Sequence, residues 1–121
     1  MDSNHTSDNI VFVCSPLRGD YEYNIKKAAK FCRWLALQRG VIPFAPHLYF
    51  TRFLDDAVVK ERNIGISIGL DVMLCCCKVM VLTENGVISE GMRREIAFAE
   101  KMQKPIEYIR YEDIRPLLDD K

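Results

Sequence analysis

The sequence predicts an α/β sandwich on about four or five parallel strands, and three observations carry that reading. Short, β-branched apolar runs alternate with longer stretches of helical spacing, a pattern that implies parallel pairing through right-handed crossovers. The first run, Ile10–Cys14, is continuously apolar, as in a strand covered on both faces. The residues least suited to packing gather after the carboxyl ends of the runs, the edge where ligands bind in sheets of this kind.

Taken in order, residues 1–9 are rich in Ser, Asn, Asp and Thr and read as a disordered tail, with residues 10–121 as one domain. Ile10–Cys14 is the first strand, and Ser15–Asp20 is a turn-rich loop. From Tyr21 to Arg39 the apolar spacing (Ile25, Ala28/Ala29, Cys32, Leu35/Ala36) is helical, and Gly40 terminates it. Val41–Phe44 is a second strand whose proline suggests a sheet edge. Ala45–Phe50 is an aromatic loop. A long helix is expected from Ala57 to Cys76, capped by Asp55 or Asp56, with Gly65 and Gly69 on one face permitting close approach. Val79–Leu82 is the third strand and Thr83–Ile88 a loop. Ser89 caps a helix running to Gln103, Pro105–Tyr108 is the fourth strand, and Glu112–Leu118 is a last short helix.

A chain of 121 residues at 49% hydrophobic can bury a substantial core without covalent staples. Formal net charge is zero, so the surface carries no electrostatic footprint for nucleic acid. Three of the five cysteines are contiguous, Cys75 to Cys77, which suits neither a disulfide framework nor a zinc site. No apolar run approaches the roughly 20 residues of a membrane span, and the first nine residues lack a signal-peptide core. A soluble, cytoplasmic protein without metal or cofactor is expected.

The sharpest anomaly lies in Ser89–Ala99. Its inward stripe is Met92, Glu95/Ile96, Ala99 and Met102, with Arg93 and Arg94 on the other side as a solvated face or subunit contact. A carboxylate on an apolar stripe either pairs with a cation, such as Arg18, or does chemistry. Ser15-Pro16-Leu17-Arg18-Gly19 joins a buried strand to a helix start, where amides, a hydroxyl and a guanidinium suit a phosphate or carboxylate. A plain turn with a solvated arginine fits the same residues. His47 reads locally as structural or as a ligand contact. Tyr23 either stacks on a ring or covers the helix start. Asp55, Asp56, Glu61 and Arg62 are most simply capping and surface pairs, and Asp71 a solvated group.

Together these pieces resemble the nucleoside 2-deoxyribosyltransferase superfamily, including the deoxynucleoside 5′-monophosphate N-glycosidases and many small phage and bacterial proteins. The resemblance spans about residues 10–110. Its motifs are Val13–Gly19 and Ser89–Ala99, which fits Ser-x-Gly-x-x-x-Glu-x-x-x-Ala without a gap. It implies a Rossmann- or flavodoxin-like three-layer sandwich and a nucleotide or nucleoside as small-molecule partner. It also implies N-glycosidase or deoxyribosyl-transfer chemistry with Glu95 as nucleophile, or a binding protein using the same pocket. Ser89, Arg18 and Gly19 map to the 5′-phosphate, and Ser15, Pro16, Tyr23, His47, Gly91 and Met92 complete the candidate substrate- or phosphate-binding residues. The family's acid is an aspartate near the end of the second helix, for which Asp71 is the nearest match, one or two residues out of register. Its glutamate-holding tyrosine is Phe12 here, and Cys77 replaces the aspartate that often precedes the third strand. Members complete each site from a neighbouring subunit, implying a homodimer or larger homo-oligomer.

Overall fold

The computed structural model describes residues 9–119, so the expectation of a disordered tail over residues 1–9 lies outside the described residues except at Asn9, whose carbonyl accepts from Ile42 N at 2.7 Å. Four strands, β1 (Ile10–Cys14), β2 (Ile42–Phe44), β3 (Lys78–Thr83) and β4 (Ile106–Arg110), form one parallel sheet in the order β2-β1-β3-β4. β1 and β3 are central and almost entirely buried, whereas β2, with Pro43, lies at an edge where its missing amide proton costs nothing.

The alternation of side chains along the central strands builds two cores. Val11, Val13, Met80 and Leu82 face α1 (Tyr21–Trp34) and α5 (Tyr111–Asp119), where Phe31, Leu35, Tyr111 and Leu118 meet them. Phe12, Cys14, Val79 and Val81 face the other way, against Met73 of α3 (Val59–Met73) and Met92 and Ala99 of α4 (Glu90–Lys101). Three layers result, as expected.

Several elements depart from the sequence reading, each for a local reason. The buried stripe of α1 is Asn24, Lys27/Ala28, Phe31 and Leu35. Its two polar members are buried because each finds a partner: Asn24 Nδ2 donates to the carbonyls of Leu17 and Arg18, and Lys27 Nζ to Glu84 Oε1 at 2.9 Å. The last turn widens to a π-helix, Leu35–Arg39, before Gly40 closes it at φ +68°.

The aromatic loop is in fact a one-turn helix, α2 (Pro46–Phe50), with proline at its first position. α3 begins later than expected and has no side-chain cap, while Asp55 Oδ1 accepts instead from the amide of Ala57 at 2.9 Å. It also ends earlier, because Lys104 Nζ takes the carbonyls of Leu74 and Cys76 at 2.9 and 2.7 Å. Met102 lies at the C-cap of α4, 37% exposed and off the packed stripe. The approach allowed by the glycines of α3 is used: a Cβ on Gly65 would lie 3.4 Å from Leu54 Cδ1, and one on Gly69 3.7 Å from Pro46 Cβ. Among the described residues no helix is long and apolar enough to cross a membrane.

Candidate active site

Parallel wiring places the start of every main helix beside the carboxyl ends of the strands, and there the structure holds a cavity of about 250 Å³. Part of its lining is apolar: Leu17, Phe50, Leu54 and Ile66, with Pro46 and the bare backbone of Gly65. The polar part is Arg18, His47, Asp56, Ser89, Gly91 and Glu95, and Glu61, Arg62 and Glu90 also line it.

Each polar group is fixed by local structure. Gly19 at φ +105° lets the loop after β1 turn, and Asn24 clamps that loop from beneath. Ser89 is the N-cap of α4. Its Oγ accepts from Met92 N at 3.2 Å, and its own N–H points to Met92 Sδ at 3.4 Å. The Ser89 hydroxyl therefore keeps its proton for a ligand oxygen, beside the partial positive charge of the helix start. His47 Nε2 lies 2.8 Å from the Ser15 carbonyl, which can only accept, so Nε2 carries the proton. Burial lowers the His47 pKa, against smaller opposing effects of that hydrogen bond and of Asp56. The ring is thus neutral, with Nδ1 an acceptor.

Glu95 is the unusual group. It lines the cavity yet is only 7% exposed. Burial pushes its carboxyl up to about 8, with the neighbouring Cys14 thiol pulling the other way by a hydrogen bond. The expected pairing with Arg18 does not form. Arg18 instead faces Asp56, at 3.9 Å from Nε to Oδ2.

Five of the sequence-derived candidates meet in the cavity: Arg18, His47, Ser89, Gly91 and Glu95. Others do not reach it. Ser15 is buried at the strand end, where its carbonyl orients His47, and among the described residues its hydroxyl has no partner. Pro16 and Gly19 shape the loop without lining the cavity. Met92 lies beneath the cavity in the core, and Tyr23 points to the α1 side, its hydroxyl donating to Glu84 at 2.7 Å. Asp71 is exposed in the last turn of α3. Since α3 runs back from the carboxyl edge toward the start of β3, that turn lies at the opposite edge of the sheet from the cavity.

Sequence reasoning missed Asp56, Glu61 and Arg62, read as surface and capping residues. The available signal was topological, because the connection into α3 returns to the carboxyl edge. Glu61 Oε1 accepts from Asp55 N at 2.7 Å and Arg62 Nη1 donates to Asp56 O at 3.3 Å, so the first turn of α3 holds this connection in place.

A family model described as a domain of unknown function (DUF7768) matches residues 9–109. The chain belongs to that family. In fold, the chain is similar to solved 2-deoxyribosyltransferases. The structure is similar to a 2-deoxyribosyltransferase from Bacillus psychrosaccharolyticus, with TM-score 0.67 and 13% identity over 84% of this chain and 72% of that one. It is also similar to the 2-deoxyribosyltransferase from Leishmania mexicana, with TM-score 0.53 and 16% identity over 84% of this chain and 64% of that one. At these identities the likeness is one of fold. No curated protein matches the sequence.

Proposed function

We propose that this protein cleaves or transfers the N-glycosidic bond of a deoxynucleotide or nucleoside, with Glu95 as the attacking carboxylate. The observation that carries the reading is a buried carboxyl at a cavity wall, within two turns of a helix start that presents a free hydroxyl proton and lies near an arginine. The ionised Glu95 attacks C1′ while the C1′–N bond breaks, and its electron pair leaves with the base, which takes a proton. Water, or a second base, then displaces the sugar and frees the carboxylate. Ser89, Gly91 and Arg18 hold the phosphate or the sugar oxygens. Asp56 takes the place of Asp71 as the acid, because it is the aspartate that lines the cavity.

Incubating the protein with a panel of deoxynucleoside monophosphates and nucleosides and following base release tests this. The expected result is release abolished in Glu95→Ala. Binding by calorimetry without release, unaffected by Glu95→Gln, contradicts it. That outcome is the second reading, a nucleotide-binding protein, favoured by the same burial that holds Glu95 protonated near neutral pH.

The reading includes a homodimer or larger homo-oligomer. The cavity of one chain falls just short of the roughly 300 Å³ at which small-molecule pockets usually begin, and the exposed rings of Tyr49 and Phe53 pack edge-on against Phe50, which lines it. A monomer by light scattering at working concentration contradicts this part.

A further inference from the structure

The flank of α4 turned away from Glu95 lines a second, open groove of about 330 Å³, and no residue lines both this groove and the cavity. Positions 93, 96, 97 and 100 share one helical face. Arg93, Ala97 and Glu100 are exposed there and Ile96 is half-buried. Tyr108 of β4 lines the groove too, 55% exposed on a strand that, among the described residues, pairs with β3 alone. Ile88 is a further lining residue, and its neighbour Val87 is exposed. The two adjacent arginines of α4 differ in their surroundings. Arg94 faces Glu90 at 3.9 Å, whereas among the described residues Arg93 and Glu100 have no ion-pair partner.

The order of these groups along the helix is self-complementary. Arg93 and Glu100 are seven positions apart, about 10 Å along the axis, with Ile96 and the small Ala97 midway. A two-fold axis between Ile96 and Ala97 lays α4 of a second copy antiparallel to the first. It brings Arg93 of each chain against Glu100 of the other, so one contact is made twice. Ala97 at the crossing leaves room for the helices to approach, and Tyr108, Ile88 and Val87 supply apolar surface beside it. A partner of uniform charge would set a like charge against one of the two ions.

We propose that this face of α4 is an isologous interface with a second copy of the chain, closed by two Arg93–Glu100 pairs about Ile96 and Ala97. It is separate from the contact at Tyr49 and Phe53, adds nothing to the cavity, and does not rest on the glycosidase reading.

Sedimentation velocity of the intact protein over a concentration series tests it. The samples are wild type, Arg93→Glu, Glu100→Arg, the double variant, and an equimolar mixture of the two single variants. Each single variant sets like charges against each other twice, so its dissociation constant should rise about tenfold or more, and by less at high salt. The double variant reverses both pairs and should associate within about threefold of wild type. The mixture should do the same as heterodimers, because an all-acidic face then meets an all-basic one. Recovery on mixing is specific to a two-fold contact between these positions, and a variant that had lost its fold would not show it. A wild type that stays monomeric overturns the proposal. Single variants that associate like wild type, or a mixture no tighter than its components, also overturn it. An oligomer lost in Tyr49→Ser and untouched by the charge variants supports the contact at the cavity and overturns this one.

Discussion

Replacing Glu95 by Gln should stabilise the protein, and by an amount that grows with pH. Gln resembles the protonated acid in size and hydrogen bonding but cannot ionise. Burial moves the Glu95 carboxyl from an ordinary 4.5 to about 8, so the folded protein holds this proton more tightly than the unfolded chain does. Below pH 4.5 both states are protonated, and the native environment costs nothing. Between 4.5 and about 8 the unfolded chain ionises first and wild type loses stability; above about 8 the loss is complete. At about 1.4 kcal/mol per pH unit, that interval sets a ceiling of about 5 kcal/mol. Local relaxation reduces what is realised to roughly 2–4 kcal/mol, on the order of 10 °C in Tm for a chain this size. Urea unfolding of both proteins at pH 5, 6, 7, 8 and 9 measures it. The difference should be small at pH 5, widen steadily in favour of Glu95→Gln up to about pH 8, and level off by pH 9. A difference that stays flat from pH 5 to 9 refutes the claim that Glu95 is desolvated in the native fold.

Further outcomes follow from the same geometry. Lys27→Ala leaves Glu84 beside a void where a lysine side chain only 2% exposed had been paired, and should cost roughly 3 kcal/mol by denaturant unfolding. Arg18→Ala should weaken binding of a phosphorylated ligand in calorimetry while changing stability by less than about 0.5 kcal/mol, because the Arg18 side chain is largely solvated and its contact with Asp56 is long, at 3.9 Å. Ser89→Ala should lower both, losing about 1 kcal/mol with the helix cap. Asp56→Asn should reduce base release and Asp71→Asn should not, since only the first lines the cavity. Gly65→Leu should drive a side chain into Phe50, Leu54 and the cavity, abolishing ligand binding at an overpacking cost of roughly 1–3 kcal/mol.

The legible parts of the fold were those written in local pattern. The continuous apolar run of β1, Pro43 at an edge, Gly40 as a helix stop and Ser89 as a cap each depend on near neighbours, and the structure has all of them. What the pattern could not convey was pairing at a distance. Lys27 and Asn24 look like solvent-facing residues until Glu84 and the loop carbonyls, far away in sequence, make them buried ones. The end of α3 is likewise set by Lys104, about thirty residues on. Within the cavity, Glu95 declared itself because a carboxylate breaks an apolar stripe. Asp56, Glu61 and Arg62 did not, because charged residues at a helix start usually face water and only the crossover brings these to the carboxyl edge. Asp71 misled for the converse reason: its place in the family's motif suggested a role that the direction of α3 carries away from the cavity.

Trapping of the sugar tests the central claim most directly. The protein is mixed with a deoxynucleotide or nucleoside that it cleaves, quenched in acid within the first turnover, digested and analysed by mass spectrometry. The account predicts a deoxyribosyl adduct, phosphorylated if the substrate was, on the peptide containing Glu95 and absent from Glu95→Gln. Base release that persists in Glu95→Gln, or an adduct mapping to another residue, contradicts it.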